Sequence, residues 1–150
     1  MEESFIIEAI NEAKIALSLG EVPVGAVIVK DNIIIARAHN LRESLNDPTA
    51  HAEVIAIKKA ADVINNWRLN GCNMYVTLEP CPMCAGAILQ ARISKVYIGT
   101  FDPTIGACGS VINVLQNRYI NSYTDVSWLY NEECSDILKD FFRIRRMKKD

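Results

Sequence analysis

The feature that most constrains this chain is a pair of cysteines, Cys81 and Cys84, separated by two residues and preceded by a proline. A strand-like apolar run over 74–78 comes before them, and a helix-like run over 81–91 begins at the first cysteine. Residues three apart share one face of a helix, and a helix N-terminus favours the thiolate over the thiol. The spacing therefore predicts that both cysteines bind a metal ion.

The number of further ligands decides what such a metal site is for. The chain has two histidines, His39 and His51, and no second Cys-x-x-Cys pair. A zinc ion held by Cys81, Cys84 and one histidine keeps one coordination position open. Structural zinc sites have four protein ligands, whereas catalytic sites have three and a water. The sequence thus predicts a catalytic zinc site, with His51 as the third ligand.

The segment around His51 adds a candidate proton carrier, Glu53. Residues 46–49 indicate a loop followed by a helix start, which places both residues in a first helical turn. Deeper in a helix, side chains two residues apart diverge by about 200°, so only the first turn lets them converge. Two thiolates and a neutral imidazole leave a zinc site formally neutral, and its water then loses a proton near neutral pH. Glu53 would take that proton and return it to the substrate, which predicts a hydrolytic reaction.

Each of these residues also has a plain structural interpretation. The two cysteines could be core residues, His51 could satisfy backbone groups, and Glu53 could be a solvated acid. The joint pattern is far more specific than any single residue and favours zinc. Glu79 is a competing acid, but it precedes Pro80, so its backbone is extended and it could serve the structure instead. The remaining cysteines have no partners at ligand spacing and are predicted to be core or loop residues: Cys72, Cys108 and Cys134.

The order of hydrophobic patterns predicts a single α/β domain over residues 1–150. We expect helices over 5–17, 50–64, 81–91 and 134–142, and strands over 24–29, 33–36, 74–78, 96–98 and near 123–126. A helix joins the third and fourth strands, which predicts that they are parallel. The first two strands lack polar alternation, which predicts a sheet covered on both faces. The expected architecture is a three-layer α/β/α sandwich around a mixed five-stranded sheet.

The composition bears on where the chain works and what it binds. Five cysteines, an acidic start over residues 1–4 and no signal-peptide pattern predict a reducing, cytoplasmic environment. No apolar run reaches the roughly 18 residues of a membrane span. The net charge of −2 gives no overall case for nucleic-acid binding. Five cations nevertheless crowd the last eight residues, as a solvated helix end or as phosphate contacts: Arg143, Arg145, Arg146, Lys148 and Lys149.

The pattern His-x-Glu followed by Pro-Cys-x-x-Cys resembles the zinc-dependent cytidine and nucleobase deaminase superfamily. Further segments look like those of the bacterial tRNA-specific adenosine deaminases, and the similarity extends over essentially the whole chain. These segments are residues 21–27, 47–53, 76–81, 83–87, 106–107, 109–110 and 140–143. The resemblance implies a cytidine deaminase-like fold and hydrolysis of adenosine to inosine at the wobble position of a tRNA anticodon. It also implies a homodimer with one zinc ion per subunit.

The resemblance further implies substrate contacts by position. Asn40 would hydrogen-bond the flipped adenine, and Asp102 would reach the neighbouring ribose. Phe142 and the arginines behind it, Arg143 and Arg145, would line the groove for the anticodon loop.

Two positions depart from the family pattern, and two other functions stay open. The family often has a lysine at the position of Thr104, and Trp128 stands where a glycine-containing turn is expected. A deaminase of free guanine, cytosine or nucleosides shares both metal motifs, although residues 83–87 and 141–143 favour the tRNA enzyme. A zinc-stabilised binding module without turnover would need a fourth protein ligand, for which His39 is the only spare histidine.

Overall fold

The structure is a computed structural model that describes residues 2–149, with side chains over residues 3–148. Met1 and Asp150 of the predicted domain lie outside the described residues. The side chain of Lys149, one of the five terminal cations, also lies outside them. The elements in chain order are α1 (Glu2–Ser18), β1 (Gly25–Lys30), β2 (Ile33–His39), α2 (Arg42–Leu45), α3 (Ala52–Ile64), β3 (Cys72–Leu78), α4 (Pro82–Gln90), β4 (Lys95–Thr100), β5 (Asp125–Trp128) and α5 (Glu132–Lys149).

The strands form one mixed sheet of five strands in the order β2-β1-β3-β4-β5. Strand β1 runs antiparallel to β2 and β3, while β3, β4 and β5 are parallel to one another. The predicted parallel pairing of the third and fourth strands is confirmed. The strands β3, β4 and β5 run in the same direction, so their carboxyl ends lie along one edge of the sheet, called the carboxyl edge below. The last residues of these strands are Leu78, Thr100 and Trp128. Ligand sites of α/β sheets lie outside this edge.

Helices cover both faces of the sheet, as the sequence predicts. One face packs against α3 and α4 through small and branched side chains such as Ala56, Ile88 and Val76. The other face packs against α1 and α5, with Ile10 and Tyr75 among its buried residues. The predicted three-layer α/β/α sandwich is therefore confirmed.

The approach of α1 to β1 is so close that it requires a glycine at position 25. A Cβ atom on Gly25 would lie 2.0 Å from the carbonyl oxygen of Ala9 and 2.5 Å from the backbone nitrogen of Ala13. Such distances exclude any side chain, so Gly25 fixes how closely the first helix lies on the sheet.

Three elements differ from the prediction: α5 extends past the predicted end at 142 to Lys149, β2 is longer than predicted, and α2 was not predicted. Strand β2 continues to His39. It is the edge strand of the sheet, and in its second half the buried Ala36 and Ala38 alternate with the exposed Arg37. This alternation lies beyond the predicted run 33–36. Helix α2 has only four residues and no hydrophobic periodicity, so the sequence pattern does not reveal it. Across residues 2–149, none of the helices is long and apolar enough to cross a membrane.

Candidate active site

Two loop–helix junctions bring the predicted metal ligands together. His51 is the N-cap of α3 and Cys81 is the N-cap of α4, both with extended backbone, and Pro82 occupies the first position of α4. Proline suits that position because its missing N–H would have no helical partner. Cys84 lies in the first turn of the same helix and is fully buried. The ligand atoms of His51, Cys81 and Cys84 all lie within 4.8 Å of one another.

The distances within this cluster fit a zinc ion. His51 Nδ1 lies 3.7 Å from Cys81 Sγ and 3.4 Å from Cys84 Sγ. Zinc binds histidine nitrogen at about 2.0 Å and cysteine sulfur at about 2.3 Å, so tetrahedral ligand atoms lie about 3.4–3.8 Å apart. Two sulfurs and one imidazole nitrogen are also a donor set that zinc prefers. The residues therefore fit a zinc ion through the Nδ1 atom of the histidine.

The pKa values of the two thiols are shifted in opposite directions. A hydrogen bond from Cys84, together with His51, lowers the pKa of Cys81 to about 4. The pKa of Cys84 is raised, because its thiol is hydrogen-bonded to Cys81 and is buried. The hydrogen bond with Cys81 raises the pKa of His51 as well. One ligand is thus already a thiolate, and metal binding would displace the protons held by the other two.

Glu53 lies in the first turn of α3, next to the cluster but outside it. Its side chain is buried, with a relative exposure of 4%. Burial raises the pKa of Glu53 to about 7, while attraction to His51 and a hydrogen bond with Cys84 act in the opposite direction. The group of three ligand atoms does not include its carboxylate. A buried acid that titrates near neutral pH beside a metal site is suited to proton transfer.

Glu79, the competing acid, uses its carboxylate to organise the loop after β4. Its Oε1 accepts the N–H of Asp102 at 2.9 Å and the hydroxyl of Ser110. Its Oε2 accepts the N–H groups of Cys108 and Ser110 at 2.9 and 3.1 Å. A Cβ atom on Gly106 would lie 2.4 Å from the same carboxylate, so the loop is tightly folded around it. These contacts favour a structural role.

Asn40 and Asp102, the predicted substrate contacts, both make hydrogen bonds within the protein. Asn40 accepts the N–H of Ala52 at 2.8 Å and donates to the carbonyl of Val22 at 3.2 Å. An amide can make further bonds, so Asn40 keeps one N–H and one lone pair. Asp102 Oδ1 accepts the N–H and hydroxyl of Thr104 at 2.9 and 2.7 Å. Thr104, where the family often has lysine, thus stabilises the turn that holds Asp102.

A groove of about 730 Å³ lies between the end of α1, α2 and α5. Its lining includes Asn40 and Arg145, which brings two of the predicted substrate contacts together. Phe142 and Arg143 are not among the lining residues. Phe142 packs edge-on against Phe141 with ring centroids 5.3 Å apart, and Arg143 pairs with Asp140 at 3.6 Å.

The groove also contains two residues that the sequence prediction did not assign to binding, Arg42 and Phe141, and one of the predicted terminal cations, Lys148. The guanidinium of Arg145 lies 5.9 Å from the centre of the Phe141 ring. Positions 137, 141, 144 and 148 recur at helical spacing, which is the signal that would have identified this face of α5. Arg42 had no such signal, because it lies in the four-residue helix α2.

His39 cannot complete the metal site. Its Nδ1 lies 2.9 Å from Glu12 of α1, on the sheet face opposite α3. It does not belong to the cluster of ligand atoms found within residues 2–149. The zinc-stabilised binding module required a fourth protein ligand, and this geometry does not favour it.

The chain is similar to known deaminases in both sequence and structure. A family model described as MafB19-like deaminase matches residues 2–146. The tRNA-specific adenosine deaminase of Bacillus subtilis (strain 168) is 50% identical over 149 residues, covering 99% of this chain and 92% of that protein. A solved structure from studies of A-to-I editing by tRNA deaminases at the wobble position is 42% identical, with a TM-score of 0.87, and covers 91% of this chain and 99% of that one.

A guanine deaminase of known structure is also similar, over a shorter part of the chain. The Bacillus subtilis enzyme is 46% identical with a TM-score of 0.63, and the match covers 66% of this chain and 64% of that one. The likeness to the tRNA deaminases therefore extends over more of the molecule.

Proposed function

The chain belongs to the MafB19-like deaminase family, and we propose that it hydrolyses adenosine to inosine at the wobble position of a tRNA anticodon. Its fold is the cytidine deaminase-like sandwich that the sequence resemblance implies. The observation that carries the proposal is the convergence of His51, Cys81 and Cys84 beside the buried acid Glu53. The substrate follows from relatives that are named tRNA-specific adenosine deaminases and align with nearly the whole chain.

His51, Cys81 and Cys84 would hold one zinc ion per chain. The ligand distances and the donor set support this assignment. When bound, zinc supplies the Lewis acidity that lets a water lose its proton near neutral pH. Metal analysis of the purified protein should give one zinc per chain, and the Cys84→Ala variant should have lost it. Full activity in a protein that contains no zinc would contradict the assignment.

Glu53 would carry the protons of the reaction. Burial raises the pKa of the Glu53 carboxyl above that of an ordinary glutamate, which makes the group easier to protonate. Glu53 can therefore accept a proton from the attacking water and donate it to the departing amino group, which leaves as ammonia. Its burial next to His51 keeps the carboxyl in reach of the reacting atoms and away from bulk solvent.

The anticodon loop would approach through the groove beside α5. A base in a single-stranded loop can splay out at low cost, because no base pair must be broken. Asn40 and Asp102 would contact the target nucleotide, while Phe142, Arg143 and Arg145 would contact the neighbouring loop. Three cations line the groove beside three acids, so the phosphate contacts would come from the individual cations Arg42, Arg145 and Lys148.

We further propose that the protein is a cytoplasmic homodimer. Several apolar side chains are exposed on the segments next to the metal site: Met83, Ile105, Val111 and Ile112. Exposed apolar side chains are typical of surfaces that another protein covers when they form one patch. Light scattering at micromolar concentration should report twice the chain mass of 16.7 kDa. A monomer that deaminates RNA at the full rate would contradict the dimer.

The test of the function is a direct comparison of substrates. The zinc-loaded protein is incubated with an anticodon stem-loop that carries a wobble adenosine, and separately with adenosine, guanine and cytidine. We expect inosine in the RNA and much slower release of ammonia from the free compounds. The Glu53→Gln variant serves as the matched control. Efficient turnover of guanine or cytidine, with none on RNA, would establish the free-base alternative instead.

A further inference from the structure

A second concave site lies at the carboxyl edge, where β5 ends. This aromatic pocket has a volume of about 390 Å³, and its walls include Phe101, Trp128 and Tyr130. The rings of Trp128 and Tyr130 are nearly parallel, with an angle of 23° and centroids 6.3 Å apart. Phe101 and Tyr130 are 52% and 71% exposed, so both rings remain available to a ligand.

The backbone that carries Tyr130 is held in an unusual conformation. Tyr130 has φ of 49°, which is unfavourable for a residue with a side chain. The residues on either side fix this conformation, because Leu129 and Asn131 donate their N–H groups to Ile98 and Gly99 at 2.9 and 2.7 Å. Because this backbone is already ordered, a ligand that stacks on Tyr130 restricts only the side chain.

The rest of the pocket is polar and uncharged. Its lining includes Ser110, Asn113 and Gln116, and no charged side chain is among the lining residues that the structure describes. Asn113 Oδ1 accepts the N–H of Gln116 at 3.0 Å, while the Gln116 amide nitrogen donates to Tyr123 and Thr124. The Asn113 amide nitrogen and the Gln116 amide oxygen thereby remain as one donor and one acceptor.

The pocket is connected to the metal site by a single carboxylate. Ser110 and Cys108 line the pocket and bind Glu79, which also holds the N–H of Asp102. Glu79 stands two residues before the ligand Cys81. The loop that forms one wall of the pocket is thus tied to the strand end that leads into the metal-ligand helix α4.

We propose that the aromatic pocket binds the base of a nucleotide next to the target adenosine in the same RNA loop. This inference rests on the proposed function and names a second base-binding site for it. Stacking surfaces combined with one amide donor and one amide acceptor suit a neutral base, whereas a phosphate would require cations. The volume lies at the lower end of ligand pockets, which suits one base better than a longer segment.

Fluorescence can test the contact directly, because the chain has only two tryptophans. Trp67 lies before β3, at the opposite edge of the sheet, so the Trp67→Phe variant leaves Trp128 as the only reporter. In the zinc-loaded Glu53→Gln background, we expect the anticodon stem-loop to quench Trp128 emission. An abasic residue on one side of the target adenosine should remove the quenching, while an abasic residue far from the loop should not.

Binding measurements supply the second readout. Trp128→Ala should raise Kd for the stem-loop by roughly 5- to 150-fold, the effect of losing one stacked base. Trp128→Phe keeps a ring and should stay close to the unaltered protein. Trp67→Ala removes the other tryptophan, which is more exposed than Trp128 and lies at the far edge, and should leave Kd unchanged. Zinc content and circular dichroism show whether each variant is folded.

The outcomes separate this inference from the proposed function. Unquenched Trp128 emission, or equal effects of Trp128→Ala and Trp67→Ala on Kd, would overturn the second base site even while RNA is deaminated. If the unaltered protein deaminates only free bases, the proposed function fails, and with it the RNA ligand of this pocket.

Discussion

Asn40 Oδ1 accepts the backbone N–H of Ala52 at 2.8 Å, and this bond joins the end of β2 to the first turn of α3. Ala52 stands between His51 and Glu53, so the bond fixes the backbone that carries a proposed metal ligand and the proposed proton carrier. The same amide donates to the carbonyl of Val22. Asn40 therefore stabilises the metal site besides any contact that it makes with the substrate.

The Asn40→Ala variant should accordingly lose stability as well as activity. Removing an acceptor from a helix N-terminus costs about 1–2 kcal/mol of unfolding free energy. Urea denaturation with zinc bound measures this loss. Asn66→Ala is a matched control, because Asn66 also accepts one backbone N–H, but in an exposed loop at the far edge. Lost activity with unchanged stability would mean that Asn40 acts on the substrate alone.

The Glu53→Gln variant should bind zinc normally but lose most of its turnover. Proton transfer by a positioned side chain is typically worth about 10²- to 10⁴-fold in rate, and an amide cannot perform it. The melting temperature should not fall, because the substitution removes a charge from a site that is only 4% exposed. The rate on the stem-loop, zinc content and thermal unfolding are measured together.

Glu79→Gln provides the contrast for that experiment. The Glu79 carboxylate accepts four hydrogen bonds from the loop. In the glutamine variant, an amide nitrogen would replace one oxygen and would face N–H donors, so hydrogen bonds would be lost. This variant should melt at a lower temperature than the unaltered protein. Near-normal turnover of Glu53→Gln would transfer the proton-carrying role to Glu79 or to solvent.

The sequence revealed the metal site because each of its ligands stands in a short local motif. His51 and Cys81 begin helices, and helix starts can be recognised from prolines, loop residues and spacing. The parallel pairing of the third and fourth strands followed from two apolar runs separated by a helix. The aromatic pocket and the walls of the groove outside α5 could not be predicted, because they come from segments far apart in the chain. Helix α2 was missed for the same reason, since the distant residue Glu21 stabilises it.

Glu21 should make the stability of the protein depend on pH. Its carboxylate is 1% exposed and accepts hydrogen bonds from the N–H of Glu43 and from the N–H and hydroxyl of Ser44. Burial alone would raise the pKa of Glu21, but the bonds from Ser44 and Glu43 and the charge of Arg42 lower it overall. A lowered pKa contributes stability above the unfolded-state value of about 4.3, and this is lost as the pH falls through the folded-state value.

The Glu21→Gln variant should therefore be less stable than the unaltered protein at neutral pH, by about 1–3 kcal/mol. The difference should shrink as the pH is lowered below about 4.3, where the native carboxylate also becomes protonated. Urea denaturation at several pH values measures the difference. Glu43→Gln serves as the control, because the Glu43 side chain is exposed and only its backbone N–H contacts Glu21. A difference that stays constant with pH would contradict the role of the Glu21 charge.

Arg145 should contribute a phosphate contact that weakens as salt is added. Its guanidinium lies over Phe141 in the groove beside α5, whereas Arg143 points to Asp140 and does not line the groove. Each phosphate neutralised on a single strand contributes about 0.7 to the slope of log Kd against log salt. Arg145→Gln should therefore weaken stem-loop binding and lower this slope by about 0.7, and Arg143→Gln should change it less. Arg68→Gln, which removes an exposed arginine stacked on Trp67 at the far edge, should leave the slope unchanged. If all three variants shift the slope equally, the attraction comes from total charge and the groove has no special part in binding RNA.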